Sequence, residues 1–188
     1  DIILSKSKFS SAFGELAMIK GNLLPNDPNY IQKKNALDKR YDSLYHYINI
    51  KLDSFNNEIG NEYKFIKEVF IPLTKMVTDY DVLPLKYESR KEMLQKHFFY
   101  FIDFSNELIY HNPNTVDAFE FYLSNAIPFN KEGYFQAVDY FYDISKDLDS
   151  QKKDFILRFL RNYFEVRNYD YVVDYFDEKT SSCYFQDK

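Results

Sequence analysis

The C-terminal half of the chain repeats one short phrase three times: two bulky apolar or small residues, an aspartate and an aromatic residue. The copies are Phe101-Ile102-Asp103-Phe104, Ala137-Val138-Asp139-Tyr140 and Val172-Val173-Asp174-Tyr175, spaced by 36 and then 35 residues. A period of this length is typical of stacked helical hairpins, each too small to bury its apolar face alone. Such arrays usually provide a binding surface and seldom a catalytic centre. The repeat therefore predicts an architecture and a class of function, but it names no partner.

The composition predicts a folded, helical protein. Of the 188 residues, 45% are hydrophobic and 20% aromatic, which is ample for a core. Only 4 Gly and 6 Pro are present, too few for the many tight turns of a β-sandwich or β-barrel. We therefore expect an all-α fold of antiparallel helical hairpins, a solenoid or bundle of about seven or eight helices.

Apolar periodicity predicts a helix from Ser5 or Ser7 to Gly21 and a long helix from Asp27-Pro28 to Gly60. The long helix carries a narrow apolar stripe on one face, formed by Leu37, Tyr41, Leu44, Ile48, Leu52, Phe55 and Ile59. Such a stripe is shielded either within the fold or in an oligomer. The alternatives of a tethering bundle and a homo-oligomer joined through Leu44, Ile48, Leu52 and Phe55 therefore stay open.

A third helix is predicted from Phe65 to Tyr80, kinked or split by Pro72, and a fourth from about Tyr87 to Tyr110. The clearest break follows at 111–115, where Pro113 disfavours helix at the residue before it. Helices are then predicted at about 115–127, 132–147, 151–166 and 169–178. The predicted organisation is a long-helix part at 1–111, a repeat part at 112–179 and a flexible tail at 180–188.

Residues 108–177 resemble the tetratricopeptide repeat, a helix–turn–helix unit of about 34 residues. The matching residues form an inter-repeat turn, a first helix, two hairpin turns and a helix contact: Asn112-Pro113-Asn114, Val116, Asp117, Ala118, Phe119, Gly133-Tyr134, Ala137, Phe159, Tyr163 and Asn168-Tyr169. The sequence departs from the family at Val172, which replaces a small residue, and at Leu160, which replaces a glycine. The pentatricopeptide repeat, with a period of about 35, fits the spacing nearly as well.

The resemblance implies a non-catalytic scaffold or adaptor that binds a peptide or a partner helix in a groove. An RNA-binding array of the pentatricopeptide type is the alternative. The candidate partner-binding residues are three acidic, two aromatic and two basic side chains: Asp103, Asp139, Asp174, Tyr134, Tyr169, Arg158 and Arg161. The aspartates either face solvent beside buried apolar pairs or form an acidic ladder along the array.

No catalytic or cofactor site is predicted. The sequence contains neither a glycine-rich phosphate loop nor a Gly-x-Ser-x-Gly elbow. The histidines, His46, His97 and His111, lack the spacing of a complete metal site. We therefore expect a protein that is not an enzyme and that needs no metal or cofactor.

Charge argues against nucleic acid as the partner. The formal net charge is −5, and residues 131–178 contain 7 basic and 11 acidic side chains, so phosphate binding is disfavoured. No apolar run is long enough to span a membrane. The single cysteine, Cys183, excludes an intrachain disulfide. We favour a reducing, intracellular compartment, while an extracellular protein without disulfides stays open.

Overall fold

The helical periodicity of the sequence is expressed as helices along most of the chain. The structure, a computed structural model, describes residues 12, 14–16, 18–78, 81, 87 and 89–184, except the side chains of 182–184. Within these residues the fold is all-α and contains no β-strand. Seven α-helices are labelled here, α1 Tyr30–Glu58, α2 Ile71–Thr74, α3 Arg90–His97, α4 Pro113–Phe121, α5 Lys131–Ser145, α6 Ser150–Glu165 and α7 Asp170–Tyr184. Residues 12–21 are also helical where they are described, and the predicted starts at Ser5 or Ser7 lie outside the described residues.

Helix α1 is close to the predicted long helix, and polar residues fix it to the rest of the molecule. Its buried residues are Leu37, Asp42 and Asn49, whereas the other residues of the apolar stripe are half-buried. The Asn49 side chain donates a 2.8 Å hydrogen bond to the carbonyl oxygen of Met76 and accepts one from its N–H. Asp42 forms an ion pair with Arg90.

Pro72 lies in a shorter helix than predicted. A π-helical turn at Ile66–Phe70 leads directly into α2, and the N–H of Ile71 bonds to the carbonyl of Ile66. A proline donates no hydrogen bond, so a widened turn next to it accommodates the missing donor. The helix ends at Thr74, not near residue 80, because Lys75 takes an extended conformation.

The predicted helix from Tyr87 to Tyr110 is wrong beyond His97. Residues 98–106 form consecutive turns, and a 3₁₀ helix follows at Glu107–His111. Ser105 donates both its N–H and its hydroxyl to Asp103, at 2.9 and 2.7 Å. Such local side-chain bonds compete with helix formation. The first copy of the repeated phrase therefore lies in a turn, while the second and third lie in α5 and α7.

Two antiparallel hairpins stack side by side in the C-terminal half. Helix α4 continues as a π-helical turn at Tyr122–Ala126 and pairs with α5, with Phe119 and Phe141 ring centroids 5.1 Å apart. Helix α6 pairs with α7 through Arg161 and Asp177. Within the stack, α5 runs antiparallel to α6, and α7 runs parallel to α5.

Two turns hold the hairpins in register. The carbonyl and ring of Pro128 occupy the space where a side chain at Gly133 would lie, so this helix start requires glycine. Asn168, between α6 and α7, has a positive φ of 59°, a conformation that asparagine tolerates better than most residues. Helix α7 continues to Tyr184, into the predicted flexible tail at 180–188; residues 185–188 of that tail lie outside the described residues.

One apolar core extends across the predicted boundary at residue 111. It includes Met93, Phe98 and Phe99 from the first part and Phe119 and Phe141 from the second. Phe99 contacts rings from the π-helical turn after α4 and from α5, at 5.4 Å from Tyr122 and 5.8 Å from Tyr140. This aromatic packing fixes the position of the turn at 98–106 relative to the hairpins.

Candidate functional site

Helix α6 divides cleanly into a buried face and an exposed face. Asp149 caps its N-terminus by accepting hydrogen bonds from the N–H groups of Gln151 and Lys152, at 3.1 and 3.0 Å. The buried face consists of Ile156, Leu160, Tyr163 and Phe164. Between these positions, Arg158 and Asn162 are exposed, and Phe159 is half-buried against rings of α4 and α5.

A groove of about 740 Å³ runs along this exposed face of α6. Helix α4 contributes Val116 to it, and α6 contributes Gln151, Asp154, Phe155, Arg158, Phe159, Arg161, Asn162 and Glu165. Helices α4 and α6 run in the same direction, because Tyr110 lies next to Phe155 and Phe119 lies next to Phe159. Two parallel first helices of stacked hairpins thus form the groove wall.

The floor of the groove is apolar and firmly supported. Phe155 and Phe159 are half-buried, and each packs against a ring from the segment before or within α4. The centroid separations are 5.2 Å for Phe155 with Tyr110 and 5.2 Å for Phe159 with Phe119. Half-buried rings held in this way offer apolar contact area with little loss of side-chain freedom on binding.

The charges around the groove are largely paired with one another. Arg158 donates to Asp154 at 2.7 Å. Arg161 binds both carboxylate oxygens of Asp177, at 3.0 and 3.1 Å, and also donates to Glu165 at 3.0 Å. The hydrogen bonds from Arg161 to Asp177 raise the pKa of this guanidinium further. The two arginines are therefore partly neutralised before any partner arrives.

The structure places two of the seven predicted partner-binding residues in this groove, Arg158 and Arg161. Tyr134 and Tyr169 contact each other instead, with Tyr134 buried and the two rings stacked. They stabilise the packing of the first turns of α5 and α7.

The three aspartates occupy different environments. Asp103 is exposed in the turn after α3, bonded to Ser105, and these bonds hold its pKa below the usual range. Asp139 on α5 accepts a 2.8 Å hydrogen bond from the Tyr175 hydroxyl and pairs with Lys179 on α7. Asp174 is exposed on α7. Because the first is in a turn and the second is engaged between helices, the three do not form a regular ladder.

Sequence reasoning missed most of the groove lining. Seven of its nine lining residues are absent from the predicted partner-binding residues: Val116, Gln151, Asp154, Phe155, Phe159, Asn162 and Glu165. The sequence does contain a pattern for part of this lining. Polar residues recur along α6 at steps of three and four, at Gln151, Asp154, Arg158, Asn162 and Glu165. That pattern identifies an exposed stripe, but only the position of α4 turns the stripe into a groove.

The described part of the chain contains neither a cluster of metal ligands nor a membrane-spanning helix. No group of three or more histidine, cysteine, aspartate and glutamate side chains there is arranged to hold a metal ion. None of the described helices is both long and apolar enough to cross a membrane.

No family model, curated protein or solved structure was found to match this chain. The resemblance to the tetratricopeptide repeat thus depends on the residues of 108–177 alone. It stays a prediction, as does the pentatricopeptide alternative.

Proposed function

We propose that this protein is a non-catalytic adaptor that holds a peptide or a partner helix in the groove between α4 and α6. The observation that carries the proposal is the combination of a supported apolar floor, Phe155 and Phe159, with polar side chains on its rim. Protein-binding grooves typically combine apolar pockets with a polar rim in this way. The predicted tetratricopeptide-like pairing of hairpins gives the same expectation.

The charge arrangement favours a protein partner over RNA. An RNA-binding groove needs cations that are free to neutralise phosphates. Here Arg158 and Arg161 are already bonded to Asp154, Glu165 and Asp177. A phosphate would have to compete with these ion pairs for the two guanidinium groups. The groove also lacks a row of exposed rings on which successive bases could stack.

Selection of peptides from a randomised display library against the full chain tests the proposal. A selected peptide should change the backbone amide chemical shifts of α4 and α6. Asn162→Trp should abolish its binding, since Asn162 is exposed on the groove face and a large side chain there fills the groove. Asp174→Trp is the matched control, because Asp174 is equally exposed on α7, outside the groove lining.

The result that would overturn the proposal is tight binding of oligouridine RNA at physiological salt, lost in Arg158→Ala. Selected peptides that bind Asn162→Trp as well as the unchanged chain would also overturn it. In that case the binding surface lies elsewhere on the molecule.

A further inference from the structure

The segment on the α4 side of the groove carries acidic side chains and no lysine or arginine. From His97 to Asn130 the chain contains no lysine or arginine, but it contains Asp103, Glu107, Asp117 and Glu120. The last two belong to α4, and both are exposed. Glu120 lies one helical turn after Val116, the α4 residue that lines the groove. It therefore lies on the same side of the helix.

Helix α6 offsets part of this charge through Lys152, which interacts with Asp103 and Glu107. Its groove face carries Asp154, Arg158, Arg161 and Glu165, two acidic and two basic side chains. Arg158 is bonded to Asp154, and Arg161 is shared between Glu165 and Asp177 of α7. The α6 lining is close to neutral as a result, so the exposed Asp117 and Glu120 of α4 supply the net charge beside the groove. An occupant of opposite charge is the one that such a groove attracts.

The apolar floor of the groove places a second requirement on the occupant. Phe155 and Phe159 are half-buried rings that an occupant must cover with apolar side chains to gain hydrophobic free energy. The lining from Gln151 to Glu165 spans about 21 Å of helix axis, since each residue adds about 1.5 Å. A helical occupant of that length has about 14 residues.

We propose that the occupant of the α4–α6 groove is a positively charged amphipathic segment of a partner protein. Its apolar side chains contact Phe155 and Phe159, and its lysine or arginine side chains meet Asp117 and Glu120 of α4. This inference rests on the proposed adaptor function and specifies the chemical class of its partner. It assigns Asp117 and Glu120, which are exposed on α4 and are not part of the groove lining, as residues that determine specificity.

Three synthetic peptides test the charge class directly. Each has about 14 residues and the same helical spacing of leucines, and the remaining positions are all lysine, all glutamate or all glutamine. We expect the lysine peptide to bind on the order of tenfold more tightly than the glutamine peptide at low salt, and the glutamate peptide not to bind. Added salt should remove the advantage of the lysine peptide.

Charge reversal locates the interaction. Asp117→Lys with Glu120→Lys should weaken the lysine peptide on the order of tenfold and strengthen the glutamate peptide. Asp174→Lys, a reversal at an exposed position of α7, should change neither affinity, which controls for net charge alone. The double variant Asp117→Asn with Glu120→Gln removes the two negative charges without adding positive ones. It should also weaken the lysine peptide and strengthen the glutamate peptide, but by a smaller factor. The melting temperature confirms that each variant is folded.

The outcomes separate this inference from the function on which it rests. If the glutamine or glutamate peptide binds as tightly as the lysine peptide and shifts the α6 amides, the charge class is wrong and the adaptor groove remains supported. Equal weakening by Asp174→Lys overturns the assignment of Asp117 and Glu120. If none of the peptides shifts the groove amides and oligouridine RNA does, both proposals fail.

Discussion

Tyr134 and Tyr169, 35 residues apart in sequence, stack on each other with ring centroids 4.9 Å apart. Tyr134 lies in the first turn of α5 and Tyr169 directly before α7, so these two residues connect neighbouring hairpins. Further along the same two helices, Asp139 of α5 bonds to Tyr175 of α7. Helices α5 and α7 are therefore joined near their N-termini by stacked tyrosine rings and near their middles by a hydrogen bond to a carboxylate.

We expect the Tyr134 ring to contribute much more to the free energy of unfolding than its hydroxyl does. Tyr134 is buried, while the distance between the two hydroxyl oxygens is 3.4 Å, at the long end for a hydrogen bond. Tyr134→Ala should lower the free energy of unfolding by about 3–5 kcal/mol because it opens a cavity. Tyr134→Phe should cost about 1 kcal/mol or less. Urea unfolding of the two variants measures both values, and equal losses would refute the division between ring and hydroxyl.

A methyl group at Gly133 should destabilise the hairpin of α4 and α5. An added Cβ would lie 2.8 Å from Cδ of Pro128 and closer still to its carbonyl oxygen. The loop backbone therefore has to move. Gly133→Ala should cost about 1–3 kcal/mol in the free energy of unfolding, the range for overpacking.

Gly14→Ala is the matched control for this prediction. Gly14 lies in the N-terminal helical segment with nothing within 4 Å of an added Cβ. Alanine should be neutral there or slightly stabilising, because it restricts the unfolded chain. Thermal unfolding of the two variants compares the same chemical change in a crowded and in an open position.

The sequence predicted the helices whose apolar residues recur regularly and whose ends carry strong signals. The all-α fold is confirmed, and α5, α6 and α1 begin and end within a few residues of the expected positions. Asn168 lies in the predicted break between α6 and α7, where its positive φ suits asparagine. These successes are local, since each depends on neighbours along the chain.

The failures have long-range causes. The segment after His97 has helical periodicity, but Phe99 leaves the helix to pack between α4 and α5, where it contacts Phe119 and Phe141. Asp103 and Ser105 then stabilise a turn. The groove was missed for the same reason: Val116 and Phe159 are 43 positions apart in the chain, and only the stacking of the hairpins brings their helices together.

Two valines of the repeated phrase should respond very differently to the same charge. Val138 is 1% exposed, whereas Val173 is half-buried. Val138→Asp should unfold the domain or cost more than about 4 kcal/mol, because it buries an unpaired carboxylate. Val173→Asp should cost less, since water still reaches that position. Circular dichroism and the melting temperature compare the two, and similar losses would contradict the packing described for α7.

The ion pair between Asp42 and Arg90 should be necessary for attaching α1. The Asp42 and Arg90 side chains are 6% and 9% exposed, so removing one partner leaves a buried charge. Arg90→Ala should cost about 3–5 kcal/mol. The double variant Asp42→Asn with Arg90→Met should cost less than Arg90→Ala, because no buried charge remains. A double variant that is less stable than Arg90→Ala would indicate that the pair itself supplies the stabilisation.

Stability should fall at alkaline pH because buried tyrosines keep their protons in the folded protein. Burial raises the pKa of Tyr140 to about 12, and it raises the pKa of Tyr122 as well. In the unfolded chain a tyrosine loses its proton near pH 10. The contribution of the protonated Tyr122 and Tyr140 to the free energy of unfolding is therefore complete below about pH 10. It is lost as the pH rises toward 12 and beyond, because the unfolded chain then releases protons that the folded protein retains.

Urea unfolding between about pH 8 and 12 tests this expectation. Tyr140→Phe should make the fall in stability above pH 10 shallower, because one proton fewer is released on unfolding. Tyr100→Phe, at an exposed ring, controls for the loss of a hydroxyl. If the Tyr140→Phe variant loses stability as steeply as the unchanged chain, then this phenol is not the group that couples folding to alkaline pH.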